Sequence, residues 1–131
     1  MDDPKGSKNF VIVLIEDDEI TVKILTEKLE KAGYTVKTAY DGVAGLDLIH
    51  TEKPDLVLLD IMLPKMDGFG VLHKLKEEKI LDHLPVIIVS KSGQPVEIER
   101  ALKLGVRDYL IKVNFNPNEI LEKVNQILRP K

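Results

Sequence analysis

Residues 55–70 read DLVLLDIMLPKMDGFG, an apolar run that ends abruptly on Asp60, with Pro64 and Gly68 close behind. A carboxylate at the end of a buried strand is costly unless something compensates it. Three other apolar runs end on groups of comparable interest. FVIVLI (10–15) leads into Glu16, Asp17, Asp18 and Glu19, VIIV (86–89) ends at Ser90, and YLI (109–111) ends at Lys112. Carboxylates crowded together repel and raise one another's pKa, so they stay ionised together only around a cation. Oxygen donors without His or Cys select a hard ion, and Mg2+ held by one or two carboxylates plus water is the usual solution. Beside such an ion, a strand-end carboxylate can attack phosphorus and form an acyl phosphate. The transferring phosphoryl group has three equatorial oxygens that need positive charge or donors. Mg2+, the Lys112 ammonium and the Ser90 hydroxyl with nearby backbone N–H groups would serve them. The chemistry these residue types point to is phosphoryl transfer onto Asp60.

That chemistry requires the four runs to lie side by side and parallel. The runs are β-branched and continuous, the pattern of strands covered on both faces. YTVKTA (34–39) alternates instead, as an edge strand does. Between the runs lie amphipathic stretches with helical spacing. Ile20, Ile24, Leu25 and Leu29 define a first helix stopped by Gly33. A second is expected over about 42–51, before Pro54. A third starts near Asp67 and carries Val71, Leu72 and Leu75. A fourth follows Pro95, carries Ile98, Ala101 and Leu102, and stops at Gly105. The fifth opens with Asn116 as cap and Pro117 in its first turn, and its apolar face is Ile120, Leu121, Val124, Ile127 and Leu128. Five strand-then-helix units predict a single-domain, three-layer α/β/α sandwich on a parallel sheet. In such sheets ligands bind at the carboxyl ends of the strands, which is where the polar groups fall.

Composition narrows the function classes. The 131 residues fit one domain. No cysteine is present, which excludes disulfides and thiolate metal sites. A net charge of −3 gives no argument for nucleic-acid binding. No apolar stretch approaches the roughly 20 residues of a membrane helix. Residues 1–8 lack the apolar region of a secretory signal and read as a flexible solvated tail ahead of a domain over 9–129. A cytoplasmic location is the expectation.

Taken together, VLIEDDE, PDLVLLDIMLPKMDGFGVL, PVIIVS and ALKLGVRDYLIK resemble the response-regulator receiver domain of two-component signalling, similar to chemotaxis regulators, across about residues 9–129. The intervals from Asp60 to Ser90 and to Lys112 match that family. The resemblance implies a flavodoxin-like sheet of strand order 2-1-3-4-5 with five helices. It implies that Asp60 is the phosphorylated residue and Mg2+ the cofactor. Residue spacing alone leaves the acidic pair open between Glu16–Asp17 and Asp17–Asp18. The resemblance selects Glu16 and Asp17, with Asp17 a direct ligand, Glu16 acting through water, and the Met62 backbone carbonyl a further ligand. It makes Ser90 the switch hydroxyl, Lys112 the phosphoryl-pairing cation and Tyr109 the aromatic that swings inward when Ser90 engages phosphate. The implied partners are a histidine kinase or histidine phosphotransfer protein and an unspecified downstream protein. A phosphorylation-dependent dimer is compatible with it. Neither direct nucleic-acid binding nor membrane insertion by this chain is expected, nor is catalysis beyond its own phosphorylation and dephosphorylation.

Two residues depart from the family pattern, Lys91 where a small residue is usual and Val113 where Pro is usual; both flank the switch. The expected mechanism is a population shift. Ser90 and Tyr109 lie outward without phosphate and move inward with it, altering a partner face around the fourth helix, fifth strand and fifth helix. Plainer readings exist for each residue: Asp60 as a turn cap, the acidic run as a complement to a helix dipole, Ser90 as an ordinary strand-end hydroxyl, Lys112 as solvated, Tyr109 as packing. Gly68 is expected to serve the turn after Pro64, Met62 and Met66 to pack, and His50, His73 and His83 to lie on the surface. A small aspartyl-phosphate phosphatase would favour a second carboxylate where Met62 stands. An FMN module would need a phosphate-cradling loop where the acidic run stands. A scaffold that accepts no phosphate would not need the acid, Ser and Lys set.

Overall fold

The computed structural model describes residues 9–112 and 116–130. The expectations for the tail at 1–8 and for Val113 lie outside the described residues. The elements alternate: β1 Val11–Ile15, α1 Glu19–Lys31, β2 Thr35–Ala39, α2 Gly42–Glu52, β3 Leu56–Leu59, α3 Gly68–Glu77, β4 Val86–Ser90, α4 Pro95–Leu104, β5 Asp108–Ile111 and α5 Pro117–Leu128. The five strands form one parallel sheet in the order β2-β1-β3-β4-β5. This is the flavodoxin-like order, and the alternating run at 34–39 does occupy an edge.

The period-two geometry of strands explains the two-sided core. Val13, Ile15, Val57, Leu59 and Ile88 face one side, where they meet Ile49 of α2, Leu72 and Leu75 of α3 and Ala101 of α4. Ile12, Leu14, Leu56, Leu58, Ile87 and Val89 face the other, against Val22, Leu25 and Leu29 of α1 and Ile120 and Val124 of α5. A strand with a core on each face must be apolar at every position, as the continuous runs are. In register, Ile15 pairs with Leu59, Leu59 with Ile88, and Ser90 with Ile111. Residues 16, 60, 90 and 112 therefore emerge on the same edge of the sheet.

Local chemistry sets the helix ends. Asp18, Asp41, Asp67 and Asn116 each accept a backbone N–H in the first turn of the helix they precede. Gly105 closes α4 with a φ of 115°, a left-handed conformation that glycine adopts without strain.

Candidate functional site

Asp60 follows β3 directly, with its side chain buried among the strand ends. Its backbone N–H donates to the Ile15 carbonyl at 3.0 Å, which ties Asp60 to β1. One carboxylate oxygen from each of Glu16, Asp17 and Asp60 lies within 4.8 Å of the others. Asp18 is excluded from this group because it caps α1, accepting from the Thr21 N–H at 3.1 Å and from the Thr21 hydroxyl at 2.5 Å. Glu16 is oriented from behind, since its Oε2 accepts the Asp18 N–H at 3.1 Å.

Lys112 reaches into the acidic group from just past β5. Its Nζ donates to Glu16 Oε1 at 2.6 Å and to Asp60 Oδ2 at 3.4 Å, and all three side chains are buried. Burial pushes the Glu16 carboxyl above its ordinary value; the Asp60 charge adds to this, while hydrogen bonds from Lys112 and Asp18 pull against it. Burial also works to lower Lys112, but its bond to Glu16 and the charges of Asp60 and Glu16 outweigh that, so the ammonium is held charged above its usual range. One cation bonded to two of three clustered carboxylates leaves an excess of negative charge. The donor set is oxygen only and partly open at Asp17, which fits a hard divalent ion.

Met62 departs from expectation. Its side chain is 69% exposed rather than packed, while its N–H points to Asp60 Oδ1 at 3.4 Å. Met66 is half-buried against the core, as expected. Gly68 closes the turn after Pro64, its N–H donating to the Ile61 carbonyl at 2.7 Å, and it has a further role. A Cβ there would sit 2.5 Å from the Asp60 carbonyl oxygen and 2.7 Å from Ile61 Cα. Glycine lets the start of α3 press directly on the backbone of Asp60 and Ile61. Gly42 does the same for the loop beyond, where a Cβ would meet the Met66 carbonyl oxygen at 1.8 Å.

Ser90 and Tyr109 both lie inward in this structure. Ser90 has no exposed surface, and its Oγ accepts the Ser92 N–H at 3.2 Å. Tyr109 is half-buried against the core and donates its hydroxyl to the Ser92 carbonyl at 2.7 Å. Burial pushes its phenol up, with Ser90 close enough to pull against the shift. Lys91 is exposed at the rim, and its charge helps hold Asp18 low after the larger effect of the Thr21 bonds. His50, His73 and His83 are on the surface; His50 bonds Glu78 at 2.8 Å and His73 bonds Arg100 at 3.3 Å.

Sequence reasoning missed Ser92 and Glu97, whose side chains hydrogen-bond each other at the start of α4. A signal was present: a Ser just before a Gln-Pro helix start, with a Glu in the first turn.

A five-stranded flavodoxin-like sheet whose strand ends carry an acidic cluster, a buried hydroxyl and a buried ammonium defines a class of small α/β domain. Within it, residues 12–125 match the family described as the response regulator receiver domain, and the chain belongs to that family. It is 39% identical over 121 residues to the Bacillus subtilis alkaline phosphatase synthesis transcriptional regulatory protein PhoP, covering 92% of this chain and 49% of that protein. To the probable transcriptional regulator ycf27 of Guillardia theta it is 41% identical over 118 residues, covering 89% and 45%. The chain thus spans about half the length of the curated relatives it matches. The receiver domain of the Francisella response regulator 1452 superposes with a TM-score of 0.83 at 32% identity, over 91% of this chain and 96% of that one. Among the described residues, no helix is long and apolar enough to cross a membrane.

Proposed function

We propose that this receiver domain accepts a phosphoryl group on Asp60 from the phosphohistidine of a histidine kinase or histidine phosphotransfer protein. A carboxylate oxygen of Asp60 attacks phosphorus, the P–N bond of the donor breaks, and the imidazole nitrogen leaves with the electron pair. Glu16, Asp17, Asp60 and the Met62 carbonyl would hold Mg2+, which when bound supplies the positive charge that lets an anionic carboxylate approach an anionic phosphoryl group. Lys112 stands 3.4 Å from Asp60 and is already charged, so it can turn a proton toward a phosphoryl oxygen without reorganising. The Met62 N–H and the Ser90 hydroxyl offer further donors. The chain turns over no external substrate, because no second carboxylate stands two residues past the acceptor to act as a general acid.

The added charge, roughly −1.5 to −2 at pH 7, biases the loop after β4 and with it a partner face around α4, β5 and α5. A phosphorylation-dependent dimer through that face is one form the output can take. The names of the relatives support a pathway ending in transcription, and the family supports a cytoplasmic setting.

The observation that carries this reading is Lys112 bridging Glu16 and Asp60 inside a three-carboxylate cluster. Incubation with Mg2+ and acetyl phosphate, followed by intact mass, tests it. The expected result is one alkali-labile phosphoryl adduct that requires Mg2+ and is abolished by Asp60→Asn. An unmodified wild-type chain under these conditions overturns the reading.

A further inference from the structure

Ser92 lies two residues past the switch hydroxyl, and each of its polar groups is engaged. Its N–H donates to Ser90 Oγ at 3.2 Å, its carbonyl accepts from the Tyr109 hydroxyl at 2.7 Å, and its own hydroxyl donates to the Glu97 carboxylate. Ser90 and Tyr109 are the two proposed moving parts, and Glu97 is in the first turn of α4. One residue thus connects the buried hydroxyl, the aromatic and the proposed output helix.

The Ser92–Glu97 bond occurs where the helix has no side-chain N-cap. Among the described helices, α4 alone begins without a side-chain cap, since Gln94 makes no such bond. It also buries only Ala101. A carboxylate in a first turn is favoured by the helix dipole, so Glu97 is a stable anchor for the loop. Glu97 and Ile98 both donate their N–H groups to the Gln94 carbonyl at 3.0 Å, which makes the turn compact.

We propose that Ser92 and Glu97 form a latch that holds the loop after β4, with Tyr109 inward, before any phosphoryl group is present. The inference rests on the switch roles proposed for Ser90 and Tyr109. Its consequence is that phosphorylation completes an arrangement already favoured rather than creating it. Removing the latch then taxes phosphoryl binding by the fraction of chains that fall out of the competent state. Ser92 and Glu97 are positioning residues: neither is placed at the reacting atoms.

The test uses the full chain labelled with 3-fluorotyrosine and fluorine NMR. The Tyr109 signal is assigned with Tyr109→Phe, and exposed Tyr40 serves as the reference for a solvated ring. In free protein without Mg2+, Ser92→Ala and Glu97→Ala are expected to move the Tyr109 signal toward the solvated position, while Ser92→Thr keeps it. Titration with Mg2+ and beryllofluoride should then show apparent affinity about three- to tenfold weaker in Ser92→Ala, the population change expected for one lost solvent-accessible hydrogen bond of ordinary net strength. A Tyr109 signal unmoved by both alanine variants overturns the latch, as does Ser92→Thr behaving like Ser92→Ala. A wild-type chain that ignores beryllofluoride sinks the Asp60 reading instead, while the free-protein spectra still decide the latch.

Discussion

The loop after β3 and the loop after β4 share one rim, yet they are built in opposite ways. The first carries Asp60 and is clamped by its backbone. Gly68 donates its N–H to the Ile61 carbonyl at 2.7 Å, Met66 to Pro64 at 2.7 Å, and Gly42 of α2 to the same Pro64 carbonyl at 3.3 Å. It runs into a helix with a bonded Asp67 cap and five buried residues, Gly68, Phe69, Val71, Leu72 and Leu75. The second carries Ser90 and is held by side chains of Ser92, Glu97 and Tyr109. Its helix is uncapped and buries Ala101 alone. Backbone clamps and apolar burial leave no low-energy alternative. A few polar side-chain bonds, each of modest net strength, permit two states close in energy. On the proposal that Asp60 accepts the phosphoryl group, the difference teaches that the accepting loop is held still while the loop proposed to respond is held by bonds that can exchange.

The comparison breaks most visibly at glycine. Gly68→Ala forces a methyl onto the backbone of Asp60 and Ile61, and urea denaturation should show a loss of about 2–3 kcal/mol. Gly93→Ala in the second loop meets only the tip of the Ile111 side chain, at 2.8 Å. Ile111 is 43% exposed and can move aside, so the same measurement should show a loss below about 0.5 kcal/mol. Equal losses would mean that the two loops are equally rigid.

The caps give a smaller and signed test. Asp67→Ala removes the bond to the Gly70 N–H and should cost about 1 kcal/mol of stability. Gln94→Asp supplies a cap where none exists and should add about 0.5 kcal/mol. If the gain comes from α4 alone, hydrogen exchange should slow in α4 and stay unchanged in α3.

The smallest effect concerns the charge under the rim. Glu16 has a folded-state pKa raised above 4.5, chiefly by burial. The folded chain therefore holds this proton more tightly than the unfolded one. In Mg2+-free buffer that contribution is complete below 4.5 and is lost as pH rises through the folded value. Glu16→Gln mimics the protonated form at every pH. It should be slightly more stable than wild type at neutral pH, and the two thermal midpoints should converge as pH falls toward 4.5. A variant less stable at neutral pH would show that the Lys112 bond outweighs burial.

Much of this was legible because the strands are buried on both faces. Val13 and Leu14 meet different cores, so the run must be unbroken, and an unbroken run shows plainly where it stops. Asp60, Ser90 and Lys112 were conspicuous for that reason. Gly68 was read only in part: its sequence neighbours suggest a turn, but the atoms that bar a side chain there belong to Asp60 and Ile61 across the loop. Met62 was misread as packing because apolar composition does not say which way a loop side chain points. The bond that holds Tyr109 was unreadable for a similar reason. What holds Tyr109 is the Ser92 carbonyl, a backbone group invisible to any pattern of residue types.

By itself the sequence determined the order of strands and helices, the two-sided core and the set of polar groups at the strand ends, since hydrophobic period and turn chemistry are local properties written residue by residue. The tertiary structure alone decided that Asp18 turns away to cap while Glu16 turns inward, that one ammonium serves two carboxylates, and that Ser92 ties Ser90, Tyr109 and α4 together. Those are matters of ångström-scale direction between residues far apart in the chain, and direction is set only when the two cores lock the strands in register.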